Sequence, residues 1–239
     1  MTIYDLPMKR NRSISWVATL SLSLFISSFL VQPAMAKDSP KTSLEICKAA
    51  KSTPHNPVRI PTQKSAPAKL PSTMTIVTNC GNIEIALQSQ LAPVTIAKLS
   101  ILVKNRFFDN SLCHRLTTSG IFVLQCGDPS AGRGLMPGGW KVFQDENLPT
   151  ATENNYPAGT VAMANRGPGT NTTQFFLVYK DSTLPPNYTV WGQIKSGLDI
   201  VEQIGEIGAY QVNQSNKKAY YAGDGYPIQT VEIKRVTTN

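Results

Sequence analysis

Histidine is nearly absent from this chain, with His55 and His114 the only two. A Ser/His/Asp site would have to draw on one of them, and neither lies in a GxSxG, HExxH or DxDxDG pattern, so conventional hydrolase and metal chemistry lack their residues. Cysteine is sparse too: Cys47, Cys80, Cys113 and Cys126 contain no CxxC spacing, which argues against a zinc site. The glycine-dense run Ala131 to Gly139 lacks GxxxxGK[ST] and is followed by no helical pattern, so it reads as a flexible loop beside the active face rather than a phosphate cradle. No cofactor and no metal is expected. Internal repeats are missing, as is any long apolar run beyond the first 36 residues.

Those 36 residues have a cationic start at Lys9, Arg10 and Arg12, then an uncharged stretch from Ser13 to Ala36 that ends in Ala34-Met35-Ala36. This is the build of a secretory signal cleaved after Ala36. Left uncleaved, its 18 or so apolar residues would act as an anchor attaching the chain to a membrane. Export places the protein outside the cytoplasm, secreted or associated with the cell envelope. In an oxidising compartment four cysteines favour pairing, as two disulfides or as one plus two buried thiols, with three connectivities open.

The formal charge is +8, and without residues 1–36 there remain 20 basic and 14 acidic residues, a net +6. The basic residues are scattered and no aromatic residues interleave with them. A solvated basic surface therefore fits better than a nucleic-acid site, and no nucleic-acid partner is expected.

Residues 37–72 hold prolines at 40, 54, 57, 61, 67 and 71 and little apolar material, the composition of a mobile spacer. Within it Ser43 to Ala50 could form two helical turns, with Cys47 as a tether to the domain. From residue 73 to 239 the pattern is that of one folded domain. MTIVT, NCGN and IEIAL read as a hairpin. Pro93 to Lys104 sets Ile96, Leu99 and Val103 at helical spacing behind an N-terminal proline. Strands are expected at 112–116, 121–126, 160–164, 174–179 and 189–194, and a second helix at 197–205. A polar insertion follows at 208–226, then a closing strand in QTVEIKRV. Many short strands with two separated helices predict a mostly β fold, a closed antiparallel barrel capped by two α-helices.

Two blocks carry the chemistry: VAMANRGPGTNTTQFF from Val161 to Phe176, and CHRLTTSGIFVLQCGD from Cys113 to Asp128. Together they resemble the signature segments of the cyclophilin-type peptidyl-prolyl cis-trans isomerases, and the spacer and leader resemble secreted bacterial members. The resemblance covers Thr75 to Gly205, and more loosely reaches Val236. It implies an eight-stranded barrel and catalysis of rotation about X-Pro bonds in unfolded or extended polypeptides, by a monomer. By motif position it makes Arg115 the catalytic residue, whose guanidinium bonds around the prolyl amide. Taken alone, Arg115 would more simply be an arginine in an ordinary ion pair.

Further positions carried over are Phe122 and Val123 in the proline pocket, Gln125 on the substrate backbone, and Ala164 and Asn165 pairing with the extended peptide. Gln174 would line the site and Phe176 form the pocket floor. Alternation places Val123 and Gln125 on one face, and Phe175 and Phe176 on opposite faces. The chain departs from the family pattern at Leu184, which stands where many relatives have tryptophan, and at Tyr188, which stands for histidine. Aliphatic closure preserves proline binding, while the missing indole donor argues against strong cyclosporin binding. Trp191 is expected in the core. The competing readings are a non-catalytic module that holds proline peptides and a membrane-tethered scaffold of the same fold.

Overall fold

The computed structural model describes residues 46–60 and 69–239. The expected leader, the start of the expected Ser43 helix and part of the spacer lie outside the described residues. The order of elements begins with β1 (Thr73–Thr78), β2 (Asn82–Leu87), α1 (Pro93–Lys104), β3 (Ser111–Leu112), β4 (Arg115–Thr117), β5 (Val123–Cys126), β6 (Thr160–Met163) and β7 (Phe175–Val178). It continues with β8 (Val190–Ser196), α2 (Leu198–Ile207), β9 (Ala209–Val212), β10 (Ala219–Ala222), β11 (Asp224–Pro227) and β12 (Glu232–Thr238).

The fold is mostly β with two helices, as expected, but the strand count and closure differ from the expectation. Twelve strands follow one open order, β10-β9-β11-β4-β5-β7-β6-β8-β2-β1-β12-β3, in place of a closed ring of eight. Two local causes account for the difference. The insertion at 208–226, read from sequence only as polar, pairs as β9, β10 and β11 and extends the sheet from β4. The run from Ser111 to Thr117 is broken at Cys113 and His114, so β3 pairs with β12 while β4 pairs with β5.

Alternation of side chains along each strand sorts the apolar residues into two bodies. The larger holds Trp191, Phe175, Phe107 and Phe108 between the sheet and the helices. Their rings meet edge to face, with centroids 5.7 Å apart for Phe175 and Trp191 and 5.6 Å for Phe108 and Phe175, a geometry that adds to simple area burial. The smaller holds Val123, Tyr156, Ala162, Phe176 and Val178. Trp191 is thus core, as expected. The neighbours Phe175 and Phe176 divide between the two bodies because strand β7 turns them to opposite faces.

Helix α1 starts on Pro93, whose missing N–H costs nothing at that position. It has no side-chain cap of its own; the Glu146 carboxylate accepts from the N–H groups of Val94 (3.0 Å) and Thr95 (2.8 Å) instead. A negative group there satisfies free donors and suits the helix dipole. Ile96, Leu99 and Val103 are all buried, as their spacing requires.

Residues 46–60 contain no helix, so the part of the expected two-turn helix from 46 to 50 is irregular chain instead. Its polar groups bond to the domain rather than to one another: Lys48 N–H donates to the Asn79 carbonyl (3.0 Å) and Lys51 N–H to the Glu232 carboxylate (3.1 Å). Cys47 is buried and disulfide-bonded to Cys80, the tether that the sequence suggests. Cys113 and Cys126 form a second disulfide joining the two chain segments that carry Arg115 and Gln125. Each such bridge is worth about 2–4 kcal/mol, comparable to much of a domain's net stability of about 5–15 kcal/mol.

Candidate active site

Strand pairing builds the site. In the β4–β5 ladder Arg115 stands opposite Gln125, and in β5–β7 Gln125 stands opposite Phe176. Directly opposed residues project to the same face, so a cation, an amide and an aromatic ring are lined up across three strands. The polar groups form a chain of hydrogen bonds. Arg115 Nη1 donates to Gln125 Oε1 (3.3 Å), Gln125 Nε2 to Gln174 Oε1 (2.7 Å), and Gln174 Nε2 to Asp128 Oδ2 (3.0 Å).

Asp128 is fully buried, and it also accepts from the N–H groups of Ser130 (2.8 Å), Gly132 (3.0 Å) and Gly134 (2.7 Å). The glycine-rich loop after it, expected to be flexible, is therefore pinned at its start by one carboxylate. Gly127 must be glycine for two reasons: its φ is +86°, and a Cβ would sit 2.5 Å from the Thr173 carbonyl oxygen. His114, next to Arg115, is buried with Nδ1 unpartnered among the described residues. Burial holds its pKa below the usual 6.5, against the opposing pull of Asp128.

Arg115 is also in an ion pair, and a close one. Its Nε donates to Asp224 Oδ1 (2.8 Å) and its Nη2 to Asp224 Oδ2 (2.7 Å), a bidentate fork. Asp224 opens β11, where it stands opposite Thr117 on β4, so the insertion delivers a carboxylate to the guanidinium. Gly225 lets β11 lie close against β9, since a side chain there would collide with the Tyr210 carbonyl. Three of the five guanidinium N–H donors are engaged by Asp224 and Gln125, which leaves two uncommitted. The hydrogen bond from Arg115 holds the Asp224 carboxyl below its usual 3.8, and Asp224 in turn raises Arg115.

The apolar side is the smaller cluster. Val123 and Phe176 are buried in it, with Ile121, Ala164, Leu184 and Tyr188 half-buried against it. Phe176 and Tyr188 meet edge to face at 5.5 Å. Tyr156 braces this wall from behind: its hydroxyl donates to the Tyr188 carbonyl (3.1 Å) and accepts from the Tyr188 N–H (3.0 Å). Burial pushes its pKa up to about 12, which keeps the hydroxyl protonated as a donor. Ala164 N–H donates to the Gln174 carbonyl (2.9 Å), and Asn165 Nδ2 to the Asn187 carbonyl (2.6 Å), tying the loop after β6 to both neighbours.

Of the positions carried over by motif, Arg115, Val123, Gln125, Ala164, Asn165, Gln174, Phe176, Leu184 and Tyr188 gather here. Phe122 does not. It packs against the larger core, edge to face with Tyr179 at 5.9 Å and under the Lys180 ammonium at 4.7 Å. It lines a separate cavity of about 360 Å³ with Glu202 and Glu206 of α2. Alternation gives the physical reason: Val123 and Gln125 face the cluster, so Phe122 faces away and Ile121 takes the place beside Val123. Sequence reasoning also missed Asp224, Asp128 and Tyr156. The one signal for Asp224 is that it is the single acidic residue in the insertion 208–226.

Residues 73–238 match the family model described as cyclophilin type peptidyl-prolyl cis-trans isomerase/CLD. The chain belongs to that family. A protein named probable peptidyl-prolyl cis-trans isomerase B from Mycobacterium tuberculosis is 38% identical over 180 residues, which cover 66% of this chain and 58% of that one. The protein of the same name from Mycobacterium leprae is 42% identical over 171 residues, 67% of this chain and 56% of that one. This cyclophilin-type chain thus spans under three fifths of its mycobacterial relatives. The human peptidyl-prolyl cis-trans isomerase-like 3 is 31% identical and is covered over 94% of its length, against 69% of this chain. A crystal structure of a cyclophilin-type isomerase from Cryptosporidium parvum shares the fold, with a TM-score of 0.53 at 21% identity over 70% of this chain and 97% of that one.

A depressed Asp224 carboxyl has a defined pH window. The fork is present above 3.8 and is lost as pH falls through the lowered folded value. Carboxyl-carbon NMR titration should give Asp224 a pKa below 3.8 that returns towards it in Arg115→Ala; an unshifted wild-type value would contradict the fork.

Proposed function

We propose that this protein accelerates cis-trans rotation about X-Pro bonds in extended, proline-containing polypeptides. The observation that carries this reading is a guanidinium with two free N–H donors set opposite Gln125, across the sheet from the apolar floor at Phe176. Rotation breaks no σ bond. Its barrier of about 18–20 kcal/mol is amide resonance, which leaves uncatalysed exchange at tens of seconds or slower. A proline ring seated on Val123 and Phe176, closed by Leu184 and Tyr188, excludes water from the amide. An N–H of Arg115 donated to the prolyl nitrogen favours the pyramidal, non-conjugated form, an interaction stronger in the twisted state than in either planar one.

Asp224 and Gln125 hold the guanidinium in place before substrate arrives, so little reorganisation is left for the reaction step. Asn165 and the backbone of Ala164 align the peptide. The chain works as a monomer outside the cytoplasm, after export by residues 1–36, and two disulfides suit an oxidising compartment. Membrane attachment would follow only from retention of that leader.

Arg115→Ala is expected to reduce exchange of a short Ala-Pro peptide by about a hundredfold, the usual cost of one preorganised donor, with an unchanged near-UV spectrum. Exchange spectroscopy by NMR reads this directly. Binding without faster exchange in the unmutated protein would instead identify a proline-peptide module. Sequencing of the mature protein should begin at Lys37, and a start at Met1 would remove the secreted reading.

A further inference from the structure

Four of the eight tyrosines, Tyr210, Tyr220, Tyr221 and Tyr226, fall within seventeen residues of the insertion and serve none of the site's hydrogen bonds. Tyr221 is 82% exposed and Tyr226 50%, far more than a stabilising aromatic residue needs. Their placement follows from register. Tyr226 on β11 stands opposite Tyr210 on β9, and Tyr210 opposite Tyr221 on β10. On β11 Tyr226 lies two residues from Asp224 and so shares its face, and Asp224 stands opposite Thr117, which shares the face of Arg115.

One sheet face thus runs from Phe176 through Gln125 and Arg115 to Asp224, Tyr226, Tyr210 and Tyr221. Tyr210 and Tyr226 are in contact, with ring centroids 5.7 Å apart and planes tilted by 42°. Beside them Tyr210, Tyr220, Tyr221, Ala219 and Ile228 line an open trough of about 420 Å³. Among the described residues β10 ends the sheet at this side.

We infer that this tyrosine ledge is a second holding site for the same polypeptide whose proline occupies the cleft, and that it takes an aromatic or apolar side chain of that polypeptide. The inference rests on the proposed cleft as the place where the chain begins. Continuity of the face selects the occupant: a peptide leaving the Phe176 and Arg115 site across the strands towards β10 passes over these tyrosines before the described sheet ends. Tyrosine suits such a partner because its ring offers stacking area at low entropic cost while the hydroxyl remains wet. Five inter-strand steps from β7, where the proline sits on Phe176, to β10 span about 24 Å, which an extended peptide covers in about seven residues. The ledge therefore reads a position about that far from the proline. Weak contacts at two places on one chain act together through effective concentration.

The test uses fluorescent twelve-residue peptides with one Ala-Pro and a tryptophan about six or seven residues to one side or the other, against the same peptides with alanine there. Fluorescence anisotropy on the full protein should show about tenfold tighter binding for one tryptophan placement. Tyr221→Ser should bring the tryptophan-to-alanine ratio of Kd close to one, and Tyr221→Phe should keep it near ten. Equal affinity for all peptides, or a ratio that survives Tyr221→Ser, would overturn the ledge. So would a concentration-dependent dimer that Tyr221→Ser dissolves, since the face would then bind a second copy. Binding is read instead of turnover, so a failed ledge is distinct from a failed isomerase.

Discussion

A guanidinium held on three donors by an aspartate and a glutamine, with two donors to spare, is the constraint around which the site is arranged. An arginine on a strand is ordinarily a mobile cation in water, with rotamer entropy to lose on each encounter. Here Asp224 fixes the plane of the fork and Gln125 fixes one edge, while Gln174 and buried Asp128 continue the bonding into the domain. The ion pair leaves two donors of the same guanidinium free, so the two readings of Arg115 that compete in the sequence are compatible in the fold. The pair is half-exposed, which limits its worth to stability; its effect is on geometry.

The second requirement is an apolar floor beside that cation, and the two-residue period of the strands supplies it without a separate domain. Phe175 anchors the larger core through Trp191 and Phe108, and Phe176, one residue on, lies in the smaller cluster with Val123 and Tyr156. Rigid packing on one side of β7 therefore positions the pocket on the other. Tyr156, bonded to both backbone groups of Tyr188, ties the pocket rim to the same floor.

Much of this is legible in the sequence because it depends on local pattern. The hairpin at 73–87 and the proline-led α1 follow from spacing and turn chemistry, and they stand where the sequence places them; the motif positions come from the resemblance, and all of them but Phe122 lie together. What escapes lies where burial is slight or pairing is remote. β10 is exposed along almost its whole length, so it carries no apolar alternation, and β9 and β11 bury little more. Asp224 reaches Arg115 across 109 residues, a partnership that only the β4–β11 ladder reveals. Phe122 fails for a different reason. Motif matching counts residues along a segment, whereas facing is set by strand parity, and Phe122 is one residue out of step with Val123 and Gln125.

The most direct measurement is a crystal structure of the protein with a short Ala-Pro peptide bound. The predicted result is a proline ring seated on Phe176 and Val123, with an Arg115 N–H directed at the prolyl nitrogen while the Asp224 fork persists. A peptide lodged in the cavity between Phe122 and α2, or one whose proline amide lies out of reach of Arg115, would contradict it.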